Sequence, residues 1–308
     1  MTVRDVLPRD AIPSIDDPVF DREYAGEGSD EVIVVDGDPP RAYPLRILSY
    51  HEVVNDTVDG RPVAVTWCPI CWSAVVYDRR VAGRTLTFGV SGKLADDALV
   101  LYDRETGSEW KQTSGRAIAG DLAGHRLDTL PAPIVPYRRF REDSPDGLVL
   151  QPARGPDDPE LAMREYDMRP YEAYAAGDHF GLYGMRGAGE PREWNRDDLD
   201  PKARVVGVEH GGEAVGYPLD HVRAAGGVVT DTVGGLDVVV FAVDGGHVFE
   251  NPGLQFERDG DRFRADGAIW DPTSGASEDG RRLERVRARR LFAFAWQDDH
   301  GADAFFSP

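Results

Sequence analysis

The chain has only two cysteines, and they stand three positions apart as Cys68 and Cys71. This C-x-x-C spacing can serve redox or nucleophilic thiol chemistry, or it can bind a metal ion. It can also do neither, when the two thiols pack as small apolar groups. A bridge between residues so close in sequence would close a very short loop and contribute little stability. The pair is therefore a candidate reactive site and not part of a disulfide framework.

The residues on either side of the cysteines predict the local fold. A thioredoxin-type C-x-x-C opens a helix, whose dipole lowers the pKa of the first thiol. Here, residues 63–67 and 74–77 are apolar runs that are typical of strands. The sequence therefore predicts that Cys68 and Cys71 lie at the tip of a β-hairpin, as the cysteines of a zinc knuckle do.

A metal ion at this tip would need further ligands. Structural zinc takes four ligands, whereas catalytic zinc takes three from the protein and one water. Copper(I) accepts two thiolates alone or with one more ligand. His51 is the histidine nearest to the cysteines in sequence, so the predicted metal ligands are Cys68, Cys71 and His51, with zinc or copper as the ion. A fourth ligand could come from Glu52, Asp56 or Asp103.

The polar segment 51–56, His-Glu-Val-Val-Asn-Asp, offers acid–base groups. On a helical turn, His51 and Asn55 would share a face, and a histidine oriented by an amide commonly serves a thiol nucleophile. The alternative is structural: Asn55 would satisfy backbone groups and Asp56 would cap a turn. On the first interpretation the catalytic residues are Cys68, Cys71, His51, Glu52 and Asn55.

Two further segments could line the site. Residues 88–92, Phe-Gly-Val-Ser-Gly, could present amides to an anion, with Ser91 and Gly92 as the cofactor-binding residues. A hairpin turn is the favoured alternative, and no Gly-Lys-Ser/Thr follows to make a P-loop. Residues 103–110 read as a polar turn in which Trp110 could cover the site. We expect the remaining histidines to be exposed: His125, His179, His210, His221, His247 and His300.

The pattern as a whole predicts a mainly β fold with few short helices. Residues 1–30 are rich in Pro, Asp and Gly and read as an extended arm, followed by a buried strand at 32–35. A short helix should begin near Leu45 and carry His51 near its end. Residues 151–203 are polar and contain several prolines and glycines. They predict a connector over the surface, ordered in part by its tyrosines.

The chain then repeats itself. Residues 43–45, Tyr-Pro-Leu, recur at 217–219, and other matches follow in the same order: residues 56–58 with 231–233, 63–65 with 238–240, and 102–103 with 270–271. This order predicts an internal duplication. The units would be residues 1–150 with the C-x-x-C site, the connector 151–203, and a degenerate copy at 204–308. The second copy has residues 243–246 in place of the cysteines, so any chemistry should lie in the first copy.

The net charge of the chain limits the kinds of partner that it can bind. The net charge is −20, and Lys93, Lys111 and Lys202 are the only lysines among 35 basic residues. This composition resembles that of haloarchaeal proteins, in which high salt screens self-repulsion; the alternative is an ordinary acidic protein. Without a basic stripe we expect no binding to nucleic acid or to anionic membranes. No apolar run reaches the roughly 20 residues of a membrane span, and the start shows no signal peptide. We therefore expect a cytoplasmic protein.

These motifs together resemble the domain-of-unknown-function family 3179 (DUF3179). The residues that carry the resemblance are 43–45, 51–56, 66–71, 88–92 and 101–110. The resemblance implies a β-rich fold and implies no activity. One departure concerns Trp72, which stands where the family commonly has a glycine. A knuckle turn often needs positive φ there, which tryptophan should resist, so the departure argues against tetrahedral zinc.

Two classes of function remain open. The first is a thiol- or metal-centred site that acts on an unknown small molecule or metal ion, as a redox or metal-binding protein. The second is a non-catalytic binding or scaffold module with a structural cysteine pair. Thiol reactivity in the native state separates them, because a structural pair should react only on unfolding.

Overall fold

The computed structural model describes residues 1–153, 158–187, 190–260 and 262–307. Strands hold 39% of the residues and seven short helices hold 15%, which confirms the prediction of a mainly β fold. The chain divides into two compact units, residues 1–194 and 195–308. Residues 151–194 therefore belong to the first unit. None of the helices in the described ranges is long and apolar enough to cross a membrane.

The first unit contains sixteen short strands and five helices. The strands are β1 (Val3–Asp5), β2 (Phe20–Asp21), β3 (Glu31–Val35), β4 (Arg41–Pro44), β5 (Val53–Val58), β6 (Arg61–Cys68), β7 (Ser73–Asp78), β8 (Arg80–Val81), β9 (Arg84–Thr85), β10 (Phe88–Ala95), β11 (Ala98–Asp103), β12 (Glu109–Lys111), β13 (Arg116–Ala119), β14 (Thr129–Leu130), β15 (Ile134–Pro136) and β16 (Leu148–Leu150). The helices are α1 (Leu45–His51), α2 (Tyr137–Asp143), α3 (Pro159–Arg164), α4 (Glu172–Ala176) and α5 (Gly181–Arg186).

These strands form three main groups of paired strands. One sheet has the order β1-β10-β11-β12-β13, and a second has the order β15-β3-β4-β16-β2. In a third group β5, β6 and β7 pair in that order, with β14 on β7. Every residue of β7 is buried, as are the last six of β6, so this hairpin is covered on both faces. Its valine-rich sequence suits such a position, because β-branched side chains pack well on a pleated surface.

The amino-terminal arm is tied along the first unit by backbone bonds. β1 pairs with β10, β2 pairs with β16, and Ile15 forms a bridge with Val54. The amides of Val6 and Leu7 both donate to the carbonyl of Gly92. The arm is thus extended, as the sequence predicts, and part of the fold.

Helix α1 places the polar segment. It follows Pro44, whose φ of −63° suits a residue next to a helix start, and it ends at His51. Glu52 then adopts the left-handed conformation, with φ 58°, and its amide donates to the carbonyl of Leu48. The predicted short helix with His51 near its end is confirmed. The prediction that His51 and Asn55 share a helical face is wrong, because the left-handed residue stops the helix and Asn55 lies in β5.

The second unit is smaller. Its strands are β17 (Arg204–His210), β18 (Glu213–Pro218), β19 (Val228–Val233), β20 (Leu236–Phe241), β21 (His247–Glu250), β22 (Glu257–Asp259), β23 (Arg262–Ala265), β24 (Ala268–Trp270) and β25 (Ala288–Phe292), and its helices are α6 (Leu219–Ala224) and α7 (Ala293–His300). β18, β17 and β25 pair in that order, and β19-β20-β21 and β22-β23-β24 form two further sheets.

The two units share an order of elements. In each, a strand ending in Tyr-Pro leads into a short helix and then into a hairpin: β4, α1, β5 and β6 in the first, and β18, α6, β19 and β20 in the second. The hydroxyl of Tyr43 donates to Asp56 at 2.6 Å, and that of Tyr217 donates to Asp231 at 2.9 Å. These matched bonds support the proposed duplication.

A second shared motif is Trp-x-x-Thr-Ser-Gly, at residues 110–115 and 270–275. In each copy the glycine amide donates to the carbonyl four residues earlier, and the glycine carbonyl accepts from a leucine amide, that of Leu127 or of Leu283. Both glycines have positive φ and would place a Cβ against an aromatic ring. By these contacts Trp270 corresponds to Trp110, which fits better than the sequence match with Tyr102.

Candidate functional site

The two cysteines close the hairpin of β6 and β7. Cys68 is the last residue of β6 and pairs with Ser73, the first of β7, with Cys71 in the turn between them. The predicted hairpin tip is confirmed. The two cysteines are not joined by a disulfide, and both are buried, with 1% of Cys68 and none of Cys71 exposed. The hairpin holds the two thiols close together.

Trp72 adopts the conformation that its size should oppose. Its φ is 48°, in the left-handed region, so the expectation that tryptophan would resist positive φ here is wrong. For a non-glycine residue that conformation costs about 1–2 kcal/mol. The ring is 7% exposed and packs edge-on against Trp67, with ring centroids 6.0 Å apart. This packing offsets the backbone strain. In the second unit Gly246, with φ 81°, ends the corresponding turn.

The surroundings of Cys68 favour its thiolate. Burial opposes ionisation, whereas hydrogen bonding with Cys71 and with the backbone amides of Cys71, Leu99 and Ile70 favours it. Together these bonds lower the pKa of Cys68 below its ordinary value. The Sγ of Cys71 also lies 3.9 Å from the carbonyl oxygen of Cys68. The thiolate is the form that attacks electrophiles and binds metals. Cys68 is therefore a candidate nucleophile.

Glu52 lies beside this sulfur. Its carbonyl accepts from the amide of Trp67, which holds the residue against β6 next to Cys68. Burial, and then the negative charge of Cys68, raise the pKa of Glu52 well above its ordinary value. A carboxyl group kept neutral in this way can donate a proton or a hydrogen bond.

His51 faces the arm and the connector. Its Nδ1 lies 2.8 Å from the carbonyl oxygen of Pro13, which can only accept, so Nδ1 carries the proton. Its Nε2 lies 2.9 Å from the hydroxyl of Tyr166. Both ring nitrogens are thus occupied by hydrogen bonds, and the geometry gives His51 a positioning role between two segments.

Asn55 joins two strands instead of orienting His51. Its amide nitrogen donates to the carbonyl of Phe88 and to Asp16, each at 2.8 Å, and its oxygen accepts from the amide of Phe88 at 2.9 Å. Asn55 therefore forms hydrogen bonds with backbone groups, which is the structural alternative given in the sequence analysis. The proposed His51–Asn55 pairing is not formed, because the side chain of Asn55 is directed to β10.

Ser91 and Gly92 lie inside strand β10, at a bulge where the register shifts between Val90 and Lys93. The hydroxyl of Ser91 donates to the carbonyl of Val100 at 2.5 Å. A Cβ on Gly92 would lie 2.1 Å from the carbonyl oxygen of Leu7, so the arm passes directly over this glycine. The prediction of a loop or hairpin turn here is wrong. A cofactor role for these two residues stays a prediction.

Of the remaining sequence predictions near the site, one is confirmed and others are wrong. The turn at Asp103 is confirmed, since its carboxylate accepts from the amide and hydroxyl of Thr106. Trp110 is fully buried and donates to Asp103 at 2.9 Å, so it belongs to the core and covers no site. Among the six histidines expected to be exposed, His221 and His300 are half-buried. His247 is fully buried, because it begins a strand whose first three residues are all buried.

Residues of the predicted connector cover the cysteine hairpin. The hydroxyl of Tyr174 donates to the carbonyl of Ile70 at 2.6 Å and accepts from the amide of Gly181 at 3.1 Å. Burial, and then the charges of Glu52 and Cys68, raise the pKa of Tyr171. A cavity of about 80 Å³ lies beneath this cover. Its walls include Glu52, Ile70, Leu99, Tyr171, Leu182 and Met185.

Gln112 is a site neighbour that the sequence reasoning missed. Its amide nitrogen donates to the hydroxyl of Thr66 at 2.9 Å and to the carbonyl of Ser73 at 3.2 Å, and all three residues are fully buried. Its backbone amide donates to Leu99, whose own amide reaches Cys68. Gln112 thus links the hairpin to the strand that stabilises the thiolate. Its only sequence signal is a polar residue after the buried Trp110.

The donor set fits some metals and not others. Within the described ranges, no three His, Cys, Asp or Glu side chains group as a metal site. A four-ligand zinc site does not fit, because the hydrogen bonds of His51 occupy both of its nitrogens. Two adjacent sulfurs do suit a soft ion of low coordination number, such as copper(I).

Comparison with known proteins gives one match. The sequence profile of the family DUF3179, described as "protein of unknown function", matches residues 9–303. No curated protein matches the chain. No solved structure matches it either.

Proposed function

The chain belongs to the DUF3179 family of unknown function, and we propose that it works through a buried redox-active dithiol. Cys68 is the nucleophile and Cys71 the resolving thiol. One observation carries this assignment: both cysteines lie at one buried hairpin tip, with Cys71 Sγ 3.9 Å from the carbonyl oxygen of Cys68. Hydrogen bonding with Cys71 and with nearby backbone amides lowers the pKa of Cys68, which favours its thiolate.

The pair can exchange with a small disulfide, R–S–S–R. The Cys68 thiolate attacks one sulfur, a bond forms between Cys68 and that sulfur, and the R–S–S–R bond breaks to release RS⁻. Cys71 then loses its proton and attacks the Cys68 sulfur, which forms the Cys68–Cys71 bond and releases a second RS⁻. The protein is oxidised by two electrons and the small disulfide is reduced to two thiols.

Glu52 is the proton carrier in this scheme. Its carboxyl is neutral beside Cys68, so it can protonate the first RS⁻ as that thiolate leaves. The resulting carboxylate can accept the proton of Cys71 before the second attack. One buried group thus serves both half-reactions.

Burial limits the partner to a small molecule. Both sulfurs are covered, and residues 171–186 lie over the hairpin through the Tyr174 contacts. A folded protein partner could not bring its own disulfide to either sulfur while this cover is in place. The adjoining cavity of about 80 Å³ has room for only a few heavy atoms.

The test is reaction of the native protein with 2-hydroxyethyl disulfide, followed by mass spectrometry under acid quench. Wild type should end as the internal disulfide and release two thiols per chain. Cys71→Ser should stop as a mixed disulfide on Cys68, since no resolving thiol remains. Cys68→Ser should stay unmodified or react far more slowly, because the remaining thiol of Cys71 is completely buried.

The same experiment can reject the proposal. If neither thiol reacts until urea unfolds the protein, the cysteines are structural and the scaffold alternative is correct. If Cys68→Ser and Cys71→Ser react equally fast, the assigned roles are wrong.

Copper(I) binding is a second candidate, favoured by the adjacent sulfurs of Cys68 and Cys71 and by the absence of a four-ligand set in the described residues. Elemental analysis of the same three preparations, purified without chelators, decides it. Copper near one equivalent in wild type that is lost from both cysteine variants would support binding.

We also propose that the protein is adapted to high salt, because its net charge is −20. At about 0.1 M salt the screening length is roughly 10 Å, and at about 1 M it is roughly 3 Å, so added salt removes most repulsion between surface carboxylates. Raising KCl from about 0.2 M to about 2 M should raise the urea midpoint of unfolding. An unchanged or lower midpoint would contradict the adaptation.

A further inference from the structure

The small cavity beside Glu52 combines apolar walls with a few ionisable groups. Most of its lining residues have aliphatic side chains, among them Leu94, Leu99 and Leu182. Such walls favour the hydrocarbon part of a ligand, because apolar surface is removed from water on both sides of the contact. The charged groups of the lining then decide which polar end the ligand can carry.

The lining carries positive charge although the chain as a whole is acidic. Glu52 is its only acidic residue, and burial keeps that carboxyl neutral by raising its pKa well above the ordinary value. Its two basic residues are Lys93 and Arg186. In a chain of net charge −20, this cavity therefore presents cations and no carboxylate of its own to a bound molecule.

Arg186 is the cation that is available to a ligand. The Nζ of Lys93 lies 2.7 Å from Glu109 Oε1, so that charge is already compensated. Arg186 is exposed, and its Nη1 donates to the carbonyl of Val6 at 3.5 Å. No carboxylate among the residues that the structure describes forms an ion pair with it. A guanidinium has five N–H donors in a planar fork that matches a carboxylate, so an anionic group can bind here.

The hydroxyl of Tyr171 relates this guanidinium to the reactive sulfur. Burial, and then the charges of Glu52 and Cys68, raise the pKa of Tyr171, whereas the charge of Arg186 acts in the opposite direction. Charges act strongly on a pKa only over short distances. Arg186, Glu52 and Cys68 are therefore all close to one phenol, at an end of the same cavity.

We propose that the substrate of this site is a small disulfide whose apolar arm ends in a carboxylate. The inference rests on the thiol exchange proposed above and adds the class of its substrate. Arg186 binds the carboxylate, the aliphatic walls hold the arm, and the disulfide bond is presented to Cys68. A disulfide with cationic arms is disfavoured, because it meets Arg186 and Lys93 with like charge.

Three probes of matched length test the charge preference. Dithiodipropionate, 2-hydroxyethyl disulfide and cystamine each have arms of two methylene groups, which end in a carboxylate, a hydroxyl and an ammonium. Rates of reaction with the native protein are measured by acid quench and mass spectrometry. Relative to 2-hydroxyethyl disulfide, Arg186→Gln should slow dithiodipropionate about 3- to 5-fold and speed cystamine. Comparing proteins with the same probe removes differences in the leaving thiol.

Arg164→Gln is the matched control. Arg164 is also an exposed arginine of the segment after residue 151, and it lies outside the cavity lining. Its replacement changes the net charge by the same amount, so any general effect of charge on the three rates appears here too. Relative rates in this variant should match those of wild type. Raising the salt concentration from about 0.1 M to about 1 M should shrink the effect of Arg186→Gln.

The outcomes separate the substrate class from the exchange itself. If wild type reacts with 2-hydroxyethyl disulfide but Arg186→Gln changes all three rates equally, the substrate class is wrong and the thiol exchange stands. If no probe reacts with native wild type, the thiol exchange fails, and binding alone decides the class.

Calorimetric titration of the double variant Cys68→Ser, Cys71→Ser with dithiodipropionate measures that binding without reaction. The double variant should bind the probe, and adding Arg186→Gln should weaken the affinity about 3- to 5-fold. No heat of binding, or an affinity that Arg186→Gln leaves unchanged, would overturn the inference. Circular dichroism of each variant checks that it is folded.

Discussion

Wild type should lose stability as pH rises because Glu52 ionises, and Glu52→Gln should not show this loss. The unfolded chain ionises Glu52 near the ordinary pKa of 4.5, whereas burial and the charge of Cys68 keep the folded-state pKa well above that value. The stability that neutral Glu52 contributes is therefore fully present below about pH 4.5. It is lost as pH rises toward the folded-state pKa, by about 1.4 kcal/mol per pH unit. Glutamine cannot ionise and suffers no such loss.

Urea unfolding of both proteins from about pH 5 to about pH 9 measures this effect. The free energy of unfolding of Glu52→Gln minus that of wild type should grow with pH and then level off above the folded-state pKa. Both side chains impose the same backbone strain at φ 58°, so the change with pH reports the charge alone. Two parallel curves would show that Glu52 ionises normally and does not hold the proton that the scheme transfers to the first leaving thiolate.

Asp56→Ala should lower the free energy of unfolding by about 3–5 kcal/mol. Its carboxylate accepts from Arg41 Nη1 at 2.6 Å and from the hydroxyl of Tyr43 at 2.6 Å. Asp56 is 7% exposed and Tyr43 is fully buried. Alanine would leave a partly buried guanidinium and a buried hydroxyl without this acceptor. An unsatisfied buried donor costs more free energy of unfolding than removal of both partners of a bond.

Asp231→Ala is the matched control. Asp231 occupies the corresponding position and accepts from Tyr217, but it is half-buried and has no arginine on its carboxylate among its described bonds. Its removal should cost about 1 kcal/mol. Equal losses in the two variants, measured by urea unfolding, would show that the Arg41 contact adds nothing.

The hairpin, the helix and the turn at Asp103 could be predicted because their signals are local. Short continuous apolar runs on both sides of Cys68 and Cys71 specify two buried strands and hence a tip between them. The apolar spacing after Leu45 specifies a helix that carries His51. In each case the residues that decide the structure are neighbours in sequence.

The contacts that define the site could not be predicted in the same way. Tyr174 reaches Ile70 across 104 positions, and His51 meets Tyr166 across 115. Segment 151–194 is polar on average. Its role as a cover depends on a few tyrosines, which an average composition does not reveal. The prediction for Trp72 was wrong for a different reason. The backbone preference of tryptophan is clear, but packing against Trp67 overrides it.

The lengths of the two equivalent hairpins separate scaffold from chemistry. The first hairpin stays paired as far as Cys68–Ser73 and turns through the four residues 69–72, whereas the second pairs only as far as Phe241–His247 and turns through the five residues 242–246. Under the proposed duplication, both cysteines lie beyond the position at which the related hairpin stops pairing. Selection on folding would then preserve the Tyr–Asp bond and the Trp-x-x-Thr-Ser-Gly motif in both copies. The tip carries neither feature, so its residues can change without disturbing the contacts that the two units share.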